Sequence, residues 1–239
     1  MIRPLLLGLG LSALLAGPAA TAAGAQTPGT GQAAGTEQAT GTEQTTAVFA
    51  GGCFWCVEEA FDKVEGVTET VSGFTAGTVP NPSYEQVSAG GTGHAEAVRV
   101  RYDPDVVGYS ELLDVFWTNV DPFDGGGQFC DRGDQYRSAL FPIGDEQQRL
   151  AEISKQAVKR RFDQPVATGI EAAAPFFAAE TYHQDYHEKN PLTYAYYKWR
   201  CGRAERLETV WGEAPAGPAV ALTEEGQATS AQGEQTARP

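Results

Sequence analysis

Between residues 45 and 212 the apolar positions follow two distinct periods. Residues 45–50 form a β-rich run that stops at Gly51-Gly52. Beyond Cys53 the spacing changes. Phe54, Val57, Phe61 and Val64 recur at helical intervals, so a strand, a glycine turn and an amphipathic helix follow one another, with Cys53 in the helix's first turn. Residues 67–74 and 95–102 alternate as half-buried strands do. In the second of these, Val98, Val100 and Tyr102 mark the inward face, and a period of two places Glu96 on that face too. Ser110 is the expected cap of a helix running to about Asn119. Asp145 and Gln148 have capping-box spacing at the start of a long helix ending near Phe162. Residues 136–141 and 166–170 are further strands. The pattern predicts an α/β (α+β) fold: a single two-layer sandwich domain with a mixed sheet and an irregular C-terminal segment. Its loops at residues 75–93 and 121–134 are long enough to be functional.

The two ends differ from this middle. Arg3, an apolar run over residues 5–15 and the small residues Ala23-Gly24-Ala25 have the form of a secretory signal over residues 1–25. Gly8, Gly10, Gly17 and Pro18 interrupt the run, which is shorter than the roughly 20 apolar residues a spanning helix needs. Residues 26–44 repeat Gly-Thr-Glu-Gln, and residues 213–239 are rich in Ala, Gly, Pro and Gln. Neither segment has enough apolar surface to offset its ordering entropy, so both are expected to be disordered, as linker and tail. The chain is thus expected to be exported to the periplasm or secreted, with no membrane span after signal cleavage. Its one folded domain covers residues 45–212.

Lys and Arg number 17 against 31 Asp and Glu, giving a formal net charge of −14. Such a surface disfavours nucleic acid and anionic membranes as partners. The four cysteines all lie in the middle segment, and only two residues separate Cys53 from Cys56. A domain of this size does not need disulfide staples, so the close pair is read as chemistry.

A cysteine opening a helix meets the positive end of the dipole, which favours its thiolate. Cys56, three residues on, shares its helix face and is placed to act as a resolving thiol. The bland alternative makes Cys53 a small buried hydrophobe; two preceding glycines that open the backbone to a ligand argue against it. Glu96, if desolvated on the inward face, gains a raised pKa and can serve as a general acid. The alternative is a buried ion pair with Arg or Lys. Tyr84 and Tyr136 lie in or beside the long loops, as neutral donors or as simple amphipathic packing.

Several segments resemble, in order, motifs of the type A peptide methionine sulfoxide reductases. They are Gly51-Gly52-Cys53-Phe54-Trp55-Cys56-Val57-Glu58, Asn81-Pro82-Ser83-Tyr84-Glu85, Gly93-His94-Ala95-Glu96, Asp131-Arg132-Gly133-Asp134-Gln135-Tyr136-Arg137-Ser138 and Tyr182-His183-Gln184-Asp185-Tyr186. The similarity runs from about Val48 to Trp211-Gly212.

The resemblance implies that Cys53 attacks the sulfoxide sulfur of methionine S-sulfoxide while Glu96 protonates its oxygen. Tyr84 and Tyr136 would hydrogen-bond that oxygen. Phe54 and Trp55 would wall the methyl group, although helical spacing alone puts Phe54 in the core. Asp131 would bind substrate or order a water. No bound cofactor is implied. Cys56 is the favoured resolving residue, with Cys201 as an alternative or recycling partner and Cys130 unassigned. A thioredoxin-like dithiol would reduce the resulting disulfide. The expected substrates are oxidised proteins and peptides, and the expected state is a monomer.

Two other chemistries fit parts of the pattern. Cys53 and Cys56 with His183 and His187 would make a zinc site, at a spacing far longer than a finger uses. A thioredoxin-like oxidoreductase also opens a helix with Cys-x-x-Cys, but Trp55 lies between the cysteines and Glu96 would be idle.

Overall fold

The computed structural model describes residues 45–162 and 164–212. The expected signal, linker and tail therefore lie outside the described residues. In chain order the elements are β1 (Thr45–Gly51), α1 (Phe54–Asp62), β2 (Val67–Thr75), α2 (Tyr84–Ser88), β3 (Ala95–Tyr102) and α3 (Tyr109–Thr118). Then come β4 (Gly127–Gln128), β5 (Asp131–Arg132), β6 (Ser138–Leu140), α4 (Gly144–Phe162), β7 (Gly169–Ile170) and β8 (Phe177–Ala178). The chain ends in α5 (Tyr186–Lys189), α6 (Pro191–Arg200) and α7 (Arg203–Trp211).

The six strands β7-β6-β1-β3-β2-β8 form one sheet, parallel only between β6 and β7, while β4 and β5 make a separate hairpin. This is the mixed α/β arrangement that the alternating periods predict. Strand alternation divides β1 cleanly. Ala47 and Phe49 face the main core, and Val48 and Ala50 join a smaller cluster with Ala97, Ala139 and Phe141. Against the first face pack Phe54, Val57 and Phe61 of α1 and Leu112, Leu113, Phe116 and Trp117 of α3. Phe49 stacks on Phe61 with ring centroids 4.6 Å apart. Each such ring fully buried contributes roughly 1.5–3 kcal/mol, which fixes α1 over the centre of the sheet.

Some sequence expectations change in detail. The cap of α3 is Gly108 rather than Ser110; the Gly108 N–H donates to the Glu111 carboxylate, so the acidic residue does the capping. Helix α4 starts at Gly144, where the Gln147 side chain accepts the Ile143 N–H at 2.9 Å. The loop at residues 75–93 holds α2, opened by a true capping box between Ser83 and Gln86. The strand expected from residue 136 begins at Ser138, because Tyr136 lies in a 3₁₀ turn over Asp134–Tyr136. The C-terminal segment is irregular only as far as residue 185, apart from β8 and a second 3₁₀ turn at Thr181–His183. After that it is helical. Its charged and aromatic residues alternate too closely for the apolar period alone to reveal those helices. Among the described residues no helix is long and apolar enough to cross a membrane.

Candidate active site

The site begins where β1 ends. Gly52 has φ +85°, open to glycine at little cost, and a Cβ there would lie 2.6 Å from the Gln128 Cβ. A Cβ on Gly51 would meet Val120 at 3.0 Å and Val57 at 3.1 Å. The glycine pair therefore admits neighbouring protein, which corrects the expectation from sequence that it leaves the backbone open to a ligand. Gln128 is fully buried, and its amide exchanges hydrogen bonds with Asp121 on both N–H and C=O at 2.8 Å. It thereby seats the β4–β5 hairpin, which carries Asp131, against the start of α1. Gly52→Ala is expected to lower stability by about 1–3 kcal/mol through strained φ alone, with the Gln128 contact adding to it. A shift in the urea unfolding midpoint at constant m-value measures this; an unchanged midpoint would mean the turn is free to relax.

Cys53 is the N-cap of α1, not a residue within its first turn, and makes no side-chain bond to the helix end. The N–H that follows, on Phe54, donates instead to Glu96 Oε2 at 3.1 Å. Glu96 is 1% exposed on the inward face of β3, as strand parity predicts. Among the described residues its one hydrogen bond is to that amide, and it has no ion pair to Arg or Lys. Burial raises its pKa to about 8, the Phe54 N–H opposing and Asp131 and Cys56 adding to the rise. The carboxyl is therefore protonated at neutral pH.

Cys53 and Cys56 are both free and buried. Burial pushes the Cys53 thiol up, and the neighbouring Cys56 and Glu96 push the same way. Cys56, hydrogen-bonded by Cys53, falls to about 6 against its own burial, helped by Arg203, Tyr194 and Lys198. The pair thus keeps one proton at neutral pH, with the anion drawn toward Cys56. That reverses the dipole expectation for Cys53, because the first amide of the helix serves Glu96 and because Cys53 is desolvated.

Around this pair the aromatic residues close in. The Tyr84 and Tyr136 hydroxyls share a hydrogen bond, and burial raises both pKa values, with Glu96 and Cys53 adding. Both remain neutral donors. Phe54 is 1% exposed, its ring 5.8 Å from Phe74 and 6.3 Å from Tyr84, so helical spacing read it correctly as core beneath the site. Trp55 is partly exposed and stacks on Tyr186 at 3.8 Å. Asp131 accepts from the Tyr197 hydroxyl at 2.5 Å, and its pKa is raised by burial. The structure thus gathers Cys53, Cys56, Glu96, Tyr84, Tyr136, Trp55 and Asp131 around one centre, with Phe54 under it.

Sequence reasoning missed Tyr197, which reaches both Cys53 and Asp131. It also missed Tyr194, which donates to Glu59 Oε2 at 2.5 Å beside Cys56. The two tyrosines are three apart on α6, a helical spacing that marks one inward face. Arg203 was missed too. It is 3% exposed, donates to the Asn119 carbonyl, and lies 4.4 Å over the Phe129 ring.

Cys130 and Cys201 form a disulfide. Cys201 is therefore already bonded, and Cys130, unassigned from sequence, is its partner. With Asp131 they are the one metal-donor cluster among the described residues. The disulfide takes both sulfurs out of that role. The zinc alternative is not assembled: among the described residues Cys53, Cys56, His183 and His187 do not come together as a cluster of donor atoms.

A family model described as peptide methionine sulfoxide reductase matches residues 45–215. The chain belongs to that family. Similar relatives include the peptide methionine sulfoxide reductases MsrA of Bacillus licheniformis and Bacillus subtilis. Each is 48% identical over 168 residues, or 70% of this chain, and these cover 93% and 95% of the relatives. Among solved structures, methionine sulfoxide reductase A of Corynebacterium diphtheriae is 34% identical with a TM-score of 0.58, covering 62% of this chain and 76% of its own. Mxr1 of Saccharomyces cerevisiae in reduced form is also 34% identical, with a TM-score of 0.57, covering 62% and 86%. As a peptide methionine sulfoxide reductase of type A, the protein is an oxidoreductase that returns methionine S-sulfoxide to methionine.

Proposed function

We propose that Cys53 is the nucleophile of this reductase and Glu96 its general acid. The observation that carries the reading is the Phe54 N–H bond to Glu96, which holds a buried, protonated carboxyl one residue from the Cys53 sulfur. The substrate's S-methyl group lies against Trp55, over the Phe54 ring. Tyr84 and Tyr136 donate to the sulfoxide oxygen, and Asp131, bonded to Tyr197, orders the approach. Cys53 passes its proton toward Cys56 along their shared hydrogen bond and attacks the sulfoxide sulfur. As the oxygen takes the Glu96 proton, the S–O bond to the substrate breaks and the oxygen bonds to Cys53. The transient bond between Cys53 and the substrate sulfur breaks with its electron pair left on that sulfur. The products are the thioether and a Cys53 sulfenic acid.

Cys56 then condenses with that sulfenic acid, releasing water and leaving a Cys53–Cys56 disulfide. A thioredoxin-like dithiol reduces it and is itself oxidised. Cys56 is favoured because it is hydrogen-bonded to Cys53 and free, whereas Cys201 is bonded to Cys130 and can join only after that bond opens. We further infer export, after cleavage near Gln26, and action as a monomer on surface methionines of oxidised envelope or secreted proteins. The N-terminal pattern and the acidic surface support this.

Protein lacking residues 1–25, given dithiothreitol and separate S and R epimers of N-acetylmethionine sulfoxide, tests the reading. Turnover confined to the S epimer is expected. Absence of turnover by folded, reduced protein would overturn it. Cys56→Ser is expected to form about one methionine per enzyme without reductant, and to lose sustained turnover with a thioredoxin-like donor. Undiminished turnover with that donor would assign resolution to another thiol.

A further inference from the structure

Four consecutive residues after the last strand lie across the first turns of α1. His183 Nδ1 accepts the Trp55 indole N–H at 3.1 Å. The Gln184 side chain bonds both the N–H and the C=O of Ser72 on β2, at 2.8 and 2.9 Å. The Asp185 N–H donates to Glu58 Oε2 at 3.0 Å, and Tyr186 stacks on Trp55 with a 7° interplanar angle. This strap is pinned to β2 and α1 at its middle and touches Trp55 at both ends.

Trp55 is thus held on its face by Tyr186, on its edge by Tyr197 at 5.8 Å, and at its N–H by His183. These contacts differ in what they fix. A stack tolerates either face of the indole, so it sets the plane but not which edge points to the pocket. The hydrogen bond does distinguish the two, because a half-turn of the ring carries the N–H away from its acceptor. We propose that His183 is a positioning residue that fixes the rotation of Trp55, and through it the preference of the site for an S-methyl over a larger S-alkyl group. The proposal rests on the reading of Trp55 as the pocket wall.

The surroundings of His183 fit that role. Its ring is 2% exposed, packed 5.1 Å from Phe54, 4.3 Å from Tyr84 and 4.1 Å from Tyr182. An indole nitrogen can only donate, so Nδ1 carries the lone pair and the proton sits on Nε2. That Nε2 is buried with no partner among the described residues. Burial lowers the pKa of the ring, with Glu180 opposing, so it stays neutral and Nδ1 stays an acceptor. An apolar residue here would remove the orphaned Nε2 proton but leave the indole N–H unpaired. The position accepts the first cost to keep the second contact.

The test compares His183→Asn and His183→Gln. The Asn oxygen falls where Nδ1 stands, whereas the Gln oxygen falls nearer Nε2. Each variant is assayed with dithiothreitol on the S-sulfoxides of N-acetylmethionine and N-acetylethionine, beside Trp55→Leu as reference. His183→Gln is expected to raise KM for the methionine substrate roughly five- to tenfold, the weight of one hydrogen bond. Its kcat should stay within about twofold, and the methyl-over-ethyl ratio of kcat/KM should fall about fivefold. His183→Asn should recover most of that ratio. If Trp55→Leu lowers the ratio and His183→Gln leaves it at the parent value, the His183 proposal fails while the wall stands. If Trp55→Leu leaves the ratio unchanged, the wall reading fails and this inference falls with it. Equal losses in the Asn and Gln variants would make His183 a packing residue only.

Discussion

Cys53→Ser is expected to abolish methionine formation, a loss of about 10⁴-fold or more that corresponds to over 5 kcal/mol of barrier. A serine hydroxyl is hardly ionised at neutral pH and has no adjacent base strong enough to activate it. The informative form of the experiment is a single turnover of reduced protein without added reductant, run beside Cys56→Ser. At neutral pH the anion of the pair is drawn toward Cys56, so ionisation alone would nominate that residue. Placement nominates Cys53, since the acid that must protonate the oxygen is bonded to the amide next to it. If placement decides, Cys53→Ser makes no methionine and Cys56→Ser makes about one equivalent. Methionine from Cys53→Ser with none from Cys56→Ser would exchange the two roles.

What the sequence made legible follows from which forces are local. Strand parity put Glu96 inward because Val98, Val100 and Tyr102 share its face, and the fold keeps that parity. Helical spacing runs α1 through Phe54, Val57 and Phe61 because that stripe is the face the helix lays on the sheet. The cap of α3 was misplaced by two residues, since a glutamate reaching back to a backbone amide serves as well as a serine.

Contacts across the chain were illegible. Gly51-Gly52 reads locally as an opening, and only the arrival of Gln128 and Val120 shows that the space is filled. The Phe54 amide was free to stabilise Cys53 until Glu96, from another strand, took it. Cys130 and Cys201 are 71 residues apart, and nothing in either neighbourhood announces their bond. Tyr197 and His183 became part of the site by the same route, because α6 and the strap fold back over α1. Residues from the C-terminal third thus tune a dithiol set near the start of the domain, and periodicity carries no information about that return.

Glu96→Gln is expected to cut the single-turnover rate at neutral pH by about 10²- to 10⁴-fold, the range for a lost general acid. The substitution is chosen because a glutamine oxygen can still accept the Phe54 N–H, and its amide can still donate to the sulfoxide oxygen. What disappears is the transferable proton. Glu96→Ala would also leave a buried amide unpaired and so mix stability with chemistry. In the parent, kcat/KM should rise with pH near 6, as the thiol pair loses its first proton, and fall near 8, as Glu96 loses its own. In Glu96→Gln the alkaline limb should vanish and the acid limb persist. Stability supplies an independent sign. A carboxyl whose folded pKa is about 8 against 4.5 is neutral in both states at low pH and opposes folding progressively as pH rises between those values. Glu96→Gln should therefore match the parent in unfolding midpoint near pH 4 and exceed it near pH 9. An alkaline limb that survives in the glutamine variant would place that ionisation elsewhere, and a rate loss under about tenfold would remove Glu96 from the proton transfer.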